Sequence, residues 1–271
     1  MRLEGILGRI VERTLLDVEA RVRTVSRADL EDAARLRKRS RRGFASALRR
    51  PAAEDPVRFI CEVKKASPSK GVLRADMNPE AVAAGYGGHG ASAISVVTEP
   101  HFFQGDPDFL RQARLGAPET PLLRKDFHVH ELQILETAAT EADALLLLAV
   151  ALDPLQLKDY REMADGLGLE HLVEVDTPRQ AEAALKAGAR VIGVNNRDLT
   201  TFKVDVARTE RVLPVFRGTN TVSVAESGIH DRDTVLRLER AGVHALLVGE
   251  SLVRSPNPAE KLLELRGATA G

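Results

Sequence analysis

The chain has 271 residues, 39 basic against 39 acidic side chains, a single cysteine and 44% apolar residues. Cys61 alone excludes a disulfide scaffold or a four-cysteine zinc site, the apolar content excludes a disordered or collagen-like chain, and zero net charge gives no overall pull toward nucleic acid or an anionic membrane. The length fits two small domains or one large α/β barrel with an extension.

Taken in chain order, residues 1–56 read as a helical extension. Ile6, Leu7, Ile10, Val11, Thr14 and Leu15 recur at helical spacing. Arg2, Glu4, Arg9, Glu12 and Arg13 interrupt any continuous apolar stretch, so no secretory signal is expected. A second helix is predicted over Ala28 to Leu48, carrying Arg35, Arg37, Lys38, Arg39, Arg41 and Arg42. Such a run can bind nucleic acid, yet residues 1–56 hold 14 basic and nine acidic side chains and only Phe44 as an aromatic. A solvated helix face is the better reading. Pro51 and Pro56 mark a linker to the second unit, residues 57–271.

From Arg58 the pattern changes to short apolar runs alternating with helical segments. Strands are predicted at Arg58–Lys64, Ala93–Thr98, Pro121–Lys125, Ala144–Ala149, His171–Val175, Val191–Asn195, Thr221–Glu226 and Ala245–Gly249. Helices fall between them: 79–88, 107–115, 130–140, 154–167, 178–187, 206–213 and 231–241, with 258–265 closing the series. Asp153-Pro154 and Thr177-Pro178 set a capping residue before a first-turn proline, and Gly188 and Gly242 sit where helices stop. The Gly87–Gly90 run precedes a strand and reads as another helix stop. Eight β/α units imply a parallel sheet closed into a (β/α)8 barrel. No GxGxxG follows the first strand, which argues against a dinucleotide fold. The longest apolar run, Ala144 to Leu152, is far short of the roughly 20 residues that cross a bilayer. A cytoplasmic protein with no membrane partner is expected.

The period of two along a strand places Ile60, Glu62 and Lys64 on one face and Phe59, Cys61 and Val63 on the other. The apolar set suits packing beneath helices, so Glu62 and Lys64 point into the barrel mouth. The same count turns Lys125, Glu174 and Glu226 inward, with Asn195 and Arg197 at the end of the sixth strand. Each group alone reads equally well as a structural ion pair. Together they form a charge-balanced cluster, three acids with three bases, at the strand ends where barrel active sites lie. Lysine–carboxylate pairs of this kind serve proton transfer.

After strand seven comes Ser227-Gly228, and after strand eight Gly249-Glu250-Ser251 opens a short helix. Small residues let backbone amides approach an anion, and barrels often hold phosphate between these two loops. A phosphorylated small molecule is therefore the expected ligand. His128-x-His130 is the only close histidine pair, lacks an evident third ligand, and reads as surface or loop polar. No GxSxG, P-loop or HExxH motif occurs. No metal and no cofactor are expected. The oligomeric state is not written in the pattern, and a monomer is the default.

These strand ends resemble those of the indole-3-glycerol phosphate synthase family. The likeness runs through Phe59-Ile-Cys-Glu-Val-Lys-Lys-Ala-Ser-Pro-Ser-Lys-Gly71, Ala93-Ile-Ser-Val-Val-Thr-Glu99, Phe102-Phe103-Gln-Gly105, Leu123-Arg-Lys-Asp-Phe127, Leu172-Val-Glu-Val175, Gly193-Val-Asn-Asn-Arg-Asp-Leu199, Ala225-Glu-Ser-Gly-Ile229 and Val248-Gly-Glu-Ser-Leu252. It covers nearly the whole chain. Asn196 and Val253 depart from it, standing where small residues and methionine are common.

The resemblance implies conversion of 1-(2-carboxyphenylamino)-1-deoxyribulose 5-phosphate to indole-3-glycerol phosphate with loss of carbon dioxide and water. It implies Lys125 as general acid, Glu174 as base or stabiliser of a cationic intermediate, and Glu62 with Lys64 in the dehydration. Asn195, Arg197 and Ser67 would orient the substrate's carboxylate and hydroxyls, and Glu226 would hydrogen-bond the intermediate. Phe103 and Phe127 would face the aromatic ring, while Ser227, Gly228, Gly249, Glu250 and Ser251 would hold phosphate. Two alternatives compete. Phosphoribosylanthranilate isomerase is a similar barrel with a first-strand cysteine as base, but Cys61 is out of phase with Glu62. An RNA-binding protein would use Arg35, Arg37 and Arg39, but stacking aromatics are lacking.

Overall fold

A computed structural model describes residues 3–52, 54–198 and 201–268. Three helices come first: α1 (Gly5–Val22), α2 (Arg27–Arg37) and α3 (Phe44–Leu48), with a 3-10 turn at Lys38–Ser40. Then follow β1 (Arg58–Val63), a hairpin of β2 (Ala66–Ser67) and β3 (Gly71–Val72), and α4 (Pro79–Gly88). Next are β4 (Ala93–Val97), α5 (Asp108–Gly116), β5 (Leu122–Lys125), α6 (Glu131–Ala138), β6 (Ala144–Leu148) and α7 (Pro154–Gly166). The chain continues through β7 (Glu170–Val175), α8 (Pro178–Lys186), β8 (Val191–Asn195), α9 (Ala207–Val212) and β9 (Val222–Glu226). It closes with α10 (Arg232–Ala241), β10 (Ala245–Val248), α11 (Glu250–Val253) and α12 (Pro258–Arg266).

Eight strands, β1 and β4 through β10, pair in parallel and close on themselves, β10 returning to β1. This is the (β/α)8 barrel that the alternation predicts. Parity along the strands decides what each side chain meets. Ile60, Leu123, Leu172, Val222 and Val224 share the barrel interior, whereas Phe59, Cys61 and Val63 pack outward among helix residues such as Tyr86 and Leu262. The helix starts follow their caps. Asp153 and Gln156 form a reciprocal capping box on α7, and Thr177 caps α8 by accepting from Gln180 N. Gly242 ends α10 at φ 94°, a left-handed turn that costs glycine little.

The N-terminal helices grip the barrel from both ends. Phe44 and Leu48 of α3 are fully buried in the same cluster as the inward strand residues. Ala45 N donates to Glu170 Oε2 where β7 begins, so α3 closes the end at which the strands start. At the opposite end Ile6, Leu7 and Ile10 of α1 line the cavity in the mouth. Between them α2 runs beside α6, with Arg27 bonded to Glu131.

Two sequence readings are corrected here. The single helix predicted over Ala28 to Leu48 is broken, because the barrel captures its middle. Arg42 N donates to Asp143 Oδ1 at 2.9 Å, and the Arg41 guanidinium donates to the carbonyls of Ala138 and Ala142, which pulls Arg41 into an extended conformation. The arginine run is likewise only partly a solvated face. Arg35 and Arg39 are exposed, but Arg37 donates to Thr140 O and pairs with Glu141, so it and Arg41 satisfy carbonyls at the end of α6.

Asp143, 1% exposed, is the hub of this junction. It accepts from Arg114 Nη2 at 2.5 Å and from Leu122 N at 2.8 Å in addition to Arg42 N. Replacing it by alanine leaves two amides without their acceptor and removes the buried charge partner of Arg114, whose guanidinium then keeps only backbone carbonyls and Glu141 at 3.7 Å. Asp143→Ala is expected to lower stability by about 3–5 kcal/mol, read as a shift of the urea midpoint. A loss under about 1 kcal/mol would mean that water replaces the carboxylate.

Candidate active site

All the charged groups that parity turns inward reach one cavity at the strand ends. It is lined by Glu62, Lys64, Lys125, Glu174, Asn195, Arg197 and Glu226, and Ser67, Phe103, Phe127, Ser227, Gly228, Gly249, Glu250 and Ser251 border it as well. Leu199, which ends the sixth family segment, lies outside the described residues. A parallel barrel explains the convergence: every strand delivers its C-terminal residue to the same rim, so residues from 62 to 251 in the chain become neighbours.

Lys125 stands at the centre of an acidic basket. Its Nζ donates to Glu174 Oε2 at 3.3 Å and lies 3.8 Å from Glu226 Oε2. Burial opposes the ammonium charge, but Glu174, Glu226 and Glu62 outweigh it and raise the lysine above its ordinary value. Glu174 is held from its other side, Oε1 accepting from Asn195 Nδ2 at 2.9 Å. Glu226 is the group whose charge is least supported. Burial and the neighbouring Glu174 push its carboxyl well above the usual range, and among the described residues its Oε1 has no hydrogen-bond partner. Lys125 is thus held as an ammonium, and of the three carboxyls Glu226 is the one whose protonated form is most favoured. Glu62 behaves oppositely: burial favours its neutral form, but Lys64, to which it is hydrogen-bonded, with Lys125 and Arg197, brings its carboxyl below the ordinary value.

The rim shows what two of the glycines do. A side chain at Gly249 would run into the Glu62 carboxylate, and one at Gly193 into that of Glu226. Gly249 therefore makes room for the acid–base pair, beyond its sequence reading as a phosphate contact. Ser227 is left-handed at φ 68° and Gly228 at φ 80°, a conformation that costs a serine about 1–3 kcal/mol. Asn196 Nδ2 holds the Ser227 carbonyl at 3.1 Å while its Oδ1 accepts from Thr209. The Ser251 hydroxyl donates to Ile229 O, tying the two turns together.

Arg197 Nη2 meets Glu250 Oε2 at 3.2 Å, and Lys70 Nζ lies 4.0 Å from Glu250 Oε1. The Glu250 carboxylate thus gathers three cations, Arg254 Nη1 lying 3.6 Å from its Oε1 as well. On the opposite wall the rings of Phe103 and Phe127 are 6.1 Å apart and tilted by 41°, an arrangement favoured between aromatic rings.

Other groups were not legible. Ile6, Leu7 and Ile10 roof the cavity, and only their helical spacing was visible. His128 is a correction: it is 2% exposed instead of a surface group, with Nδ1 on Leu146 O at 2.8 Å and Nε2 on Thr137 Oγ1 at 3.0 Å. Burial beside Arg124 lowers it to about 4, so it stays neutral. His130 caps α6 by accepting from Leu132 N. Cys61 is buried on the helix side of β1, and that burial pushes its thiol up.

Comparison with known proteins gives one consistent result. A family model described as indole-3-glycerol phosphate synthase matches residues 7–265. The chain is 41% identical over 263 residues to the indole-3-glycerol phosphate synthase of Laribacter hongkongensis, covering 97% of this chain and 98% of that one. It is 43% identical over 264 residues to the enzyme of that name from Salinibacter ruber, covering 97% and 95%. Among solved structures, 3-hexulose-6-phosphate synthase from Salmonella typhimurium superposes with a TM-score of 0.61 at 16% identity, covering 78% of this chain and 97% of that one, a likeness of fold.

Proposed function

The chain belongs to the indole-3-glycerol phosphate synthase family, and from that premise we propose how its barrel mouth divides the work of ring closure, decarboxylation and dehydration. The enzyme is a carboxy-lyase of tryptophan biosynthesis acting on a phosphorylated small molecule, 1-(2-carboxyphenylamino)-1-deoxyribulose 5-phosphate. The observation that supports the assignment best is Lys125, an ammonium held between Glu174 and Glu226 at the floor of the cavity.

Lys125 is the general acid. It gives its proton to the ketone oxygen as the ring carbon bearing the carboxylate attacks the ketone carbon and the new carbon–carbon bond forms. Its raised proton affinity does not hinder this, because the oxygen becomes an alkoxide-like base as the bond forms. The bond to the carboxylate then breaks, its electron pair returns to the ring, and carbon dioxide leaves. Glu174 stabilises the cationic ring nitrogen in between. Dehydration removes the new hydroxyl together with a proton from the adjacent carbon, one group protonating and the other accepting. Glu62 and Lys64 are a bonded acid–base pair suited to that second exchange. Glu226, the carboxyl whose protonated form burial favours, hydrogen-bonds the intermediate.

The remaining contacts follow from charge and shape. Asn195, Arg197 and Ser67 orient the substrate's carboxylate and hydroxyls, with Arg197 passing from Glu250 to the substrate anion. Phe103 and Phe127 face the aromatic ring. The backbone around Ser227, Gly228, Gly249, Glu250 and Ser251 takes the phosphate. Each step moves only protons, carbon dioxide and water, so the reading needs neither metal nor cofactor. We take the enzyme as a cytoplasmic monomer without a nucleic-acid partner.

The test is direct. Given the carboxyphenylamino substrate, the enzyme is expected to release a product with indole fluorescence. Cys61→Ala should retain turnover within about threefold, because the thiol faces the helices and only a methyl-sized volume is lost. No fluorescence, together with isomerisation of phosphoribosylanthranilate that Cys61→Ala abolishes, would assign the barrel to the competing reaction.

A further inference from the structure

Glu99 lies just beyond β4, is 2% exposed, and belongs to no acid–base pair in the cavity. Its carboxylate bonds instead to the backbone of the loop that follows it. Oε1 accepts from His101 N at 2.9 Å, and Oε2 accepts from Phe102 N at 2.7 Å and Phe103 N at 2.9 Å. The loop closes back on the same residue, Gly105 N donating to Glu99 O at 2.8 Å. Two backbone features depend on that closure. Gln104 is left-handed at φ 51°, and Gly105 lies so near the strand end that a Cβ there would be 2.5 Å from Val97 O. A buried carboxylate accepting three amides is a strong local anchor, since each charge-assisted bond exceeds a neutral one.

The consequence falls on Phe103. Its amide is bound by Glu99 and its carbonyl accepts from Ala66 N at 3.1 Å, next to Ser67. Both polar groups of its backbone are thereby tied, and its ring is set against Phe127 on the cavity wall. We propose that Glu99 is a positioning residue for ring closure: through the amides of residues 101 to 103 it holds the Phe103 ring against the place where the substrate's aromatic ring must lie. The inference rests on the reading of Phe103 as a substrate-facing wall. Glu99 touches no reacting atom; it reduces the orientations open to the attacking carbon.

A double-mutant cycle separates this from a general contribution to folding. Glu99→Gln keeps the shape but replaces one acceptor oxygen by an NH2 that faces an amide donor. It is expected to lower kcat/KM by roughly tenfold to a hundredfold, as small misplacements of reacting groups do, and Phe103→Ala should cause a comparable loss. With the ring already absent, adding Glu99→Gln to Phe103→Ala should change kcat/KM by less than about twofold. Independent, multiplying losses would overturn the proposal. So would a Phe103→Ala enzyme with normal kcat/KM, an outcome that would also remove Phe103 from the substrate wall while leaving the Lys125 and Glu174 assignments intact. Should Glu99→Gln fail to fold, amide hydrogen exchange in the unmodified enzyme decides: the amides of His101, Phe102 and Phe103 are expected to be protected like those of β4. Exchange at the rate of an open loop would reject the anchor.

Discussion

Lys125→Ala is expected to lower turnover at least about a hundredfold, the usual scale of losing a positioned general acid. The two other cations of the acid–base cluster are engaged elsewhere. Lys64 is engaged with Glu62 at the end of the same strand, and Arg197 is paired with Glu250. Without the ammonium, the ketone oxygen must take up negative charge beside three carboxyl groups. The fold should survive, since the side chain is partly exposed to the cavity and Glu174 and Glu226 can share a proton in its absence. The measurement is indole fluorescence under saturating substrate, with circular dichroism to confirm folding. A folded variant with near-normal turnover would remove Lys125 from the first step.

Glu174→Gln is expected to cost at least about a hundredfold as well, by a different route. Glutamine is nearly isosteric and can still accept from Asn195 Nδ2 through its oxygen. What disappears is the negative charge 3.3 Å from Lys125 Nζ, which in the proposed mechanism also stabilises the cationic ring nitrogen. A pH profile distinguishes this from loss of packing. Glu174 is among the charges that raise Lys125, so its removal lets the ammonium lose its proton at lower pH. The alkaline limb of kcat should therefore move toward neutrality in Glu174→Gln, with the direction opposite to that of adding a carboxylate. An unmoved limb would mean that Lys125 does not control it. Normal turnover in both variants would reject the division of roles altogether.

Much of this site was legible because a strand alternates strictly. Once Phe59, Cys61 and Val63 are recognised as helix-facing, Glu62 and Lys64 can only point inward, and Cys61 is excluded as a base by the same count. Gly193 and Asn196 were visible as letters but not as parts, and Gly249 only as a phosphate contact. Their meaning depends on a carboxylate or a carbonyl arriving from another strand. Glu99 stood in the sequence only as the end of a family-like segment, and its part emerges once the loop folds its amides around it. The arginines at 37 and 41 show the reverse error, where a charged run suggests solvent although the carbonyls at the end of α6 lie in reach.

The order of the barrel's eight β/α units, its parallel closure, the inward set of charged residues and the family all follow from the chain read alone, because periodicity, caps and strand-end motifs are local and survive without coordinates. Tertiary structure decided the rest: that α1 roofs the mouth and α3 closes the opposite end, that Asp143 breaks the second helix, and that burial favours the proton on Glu226 while neighbouring cations favour its loss from Glu62. Those outcomes depend on distances between residues far apart in sequence and on how deeply each charge is buried. Coulomb and desolvation energies vary steeply with both.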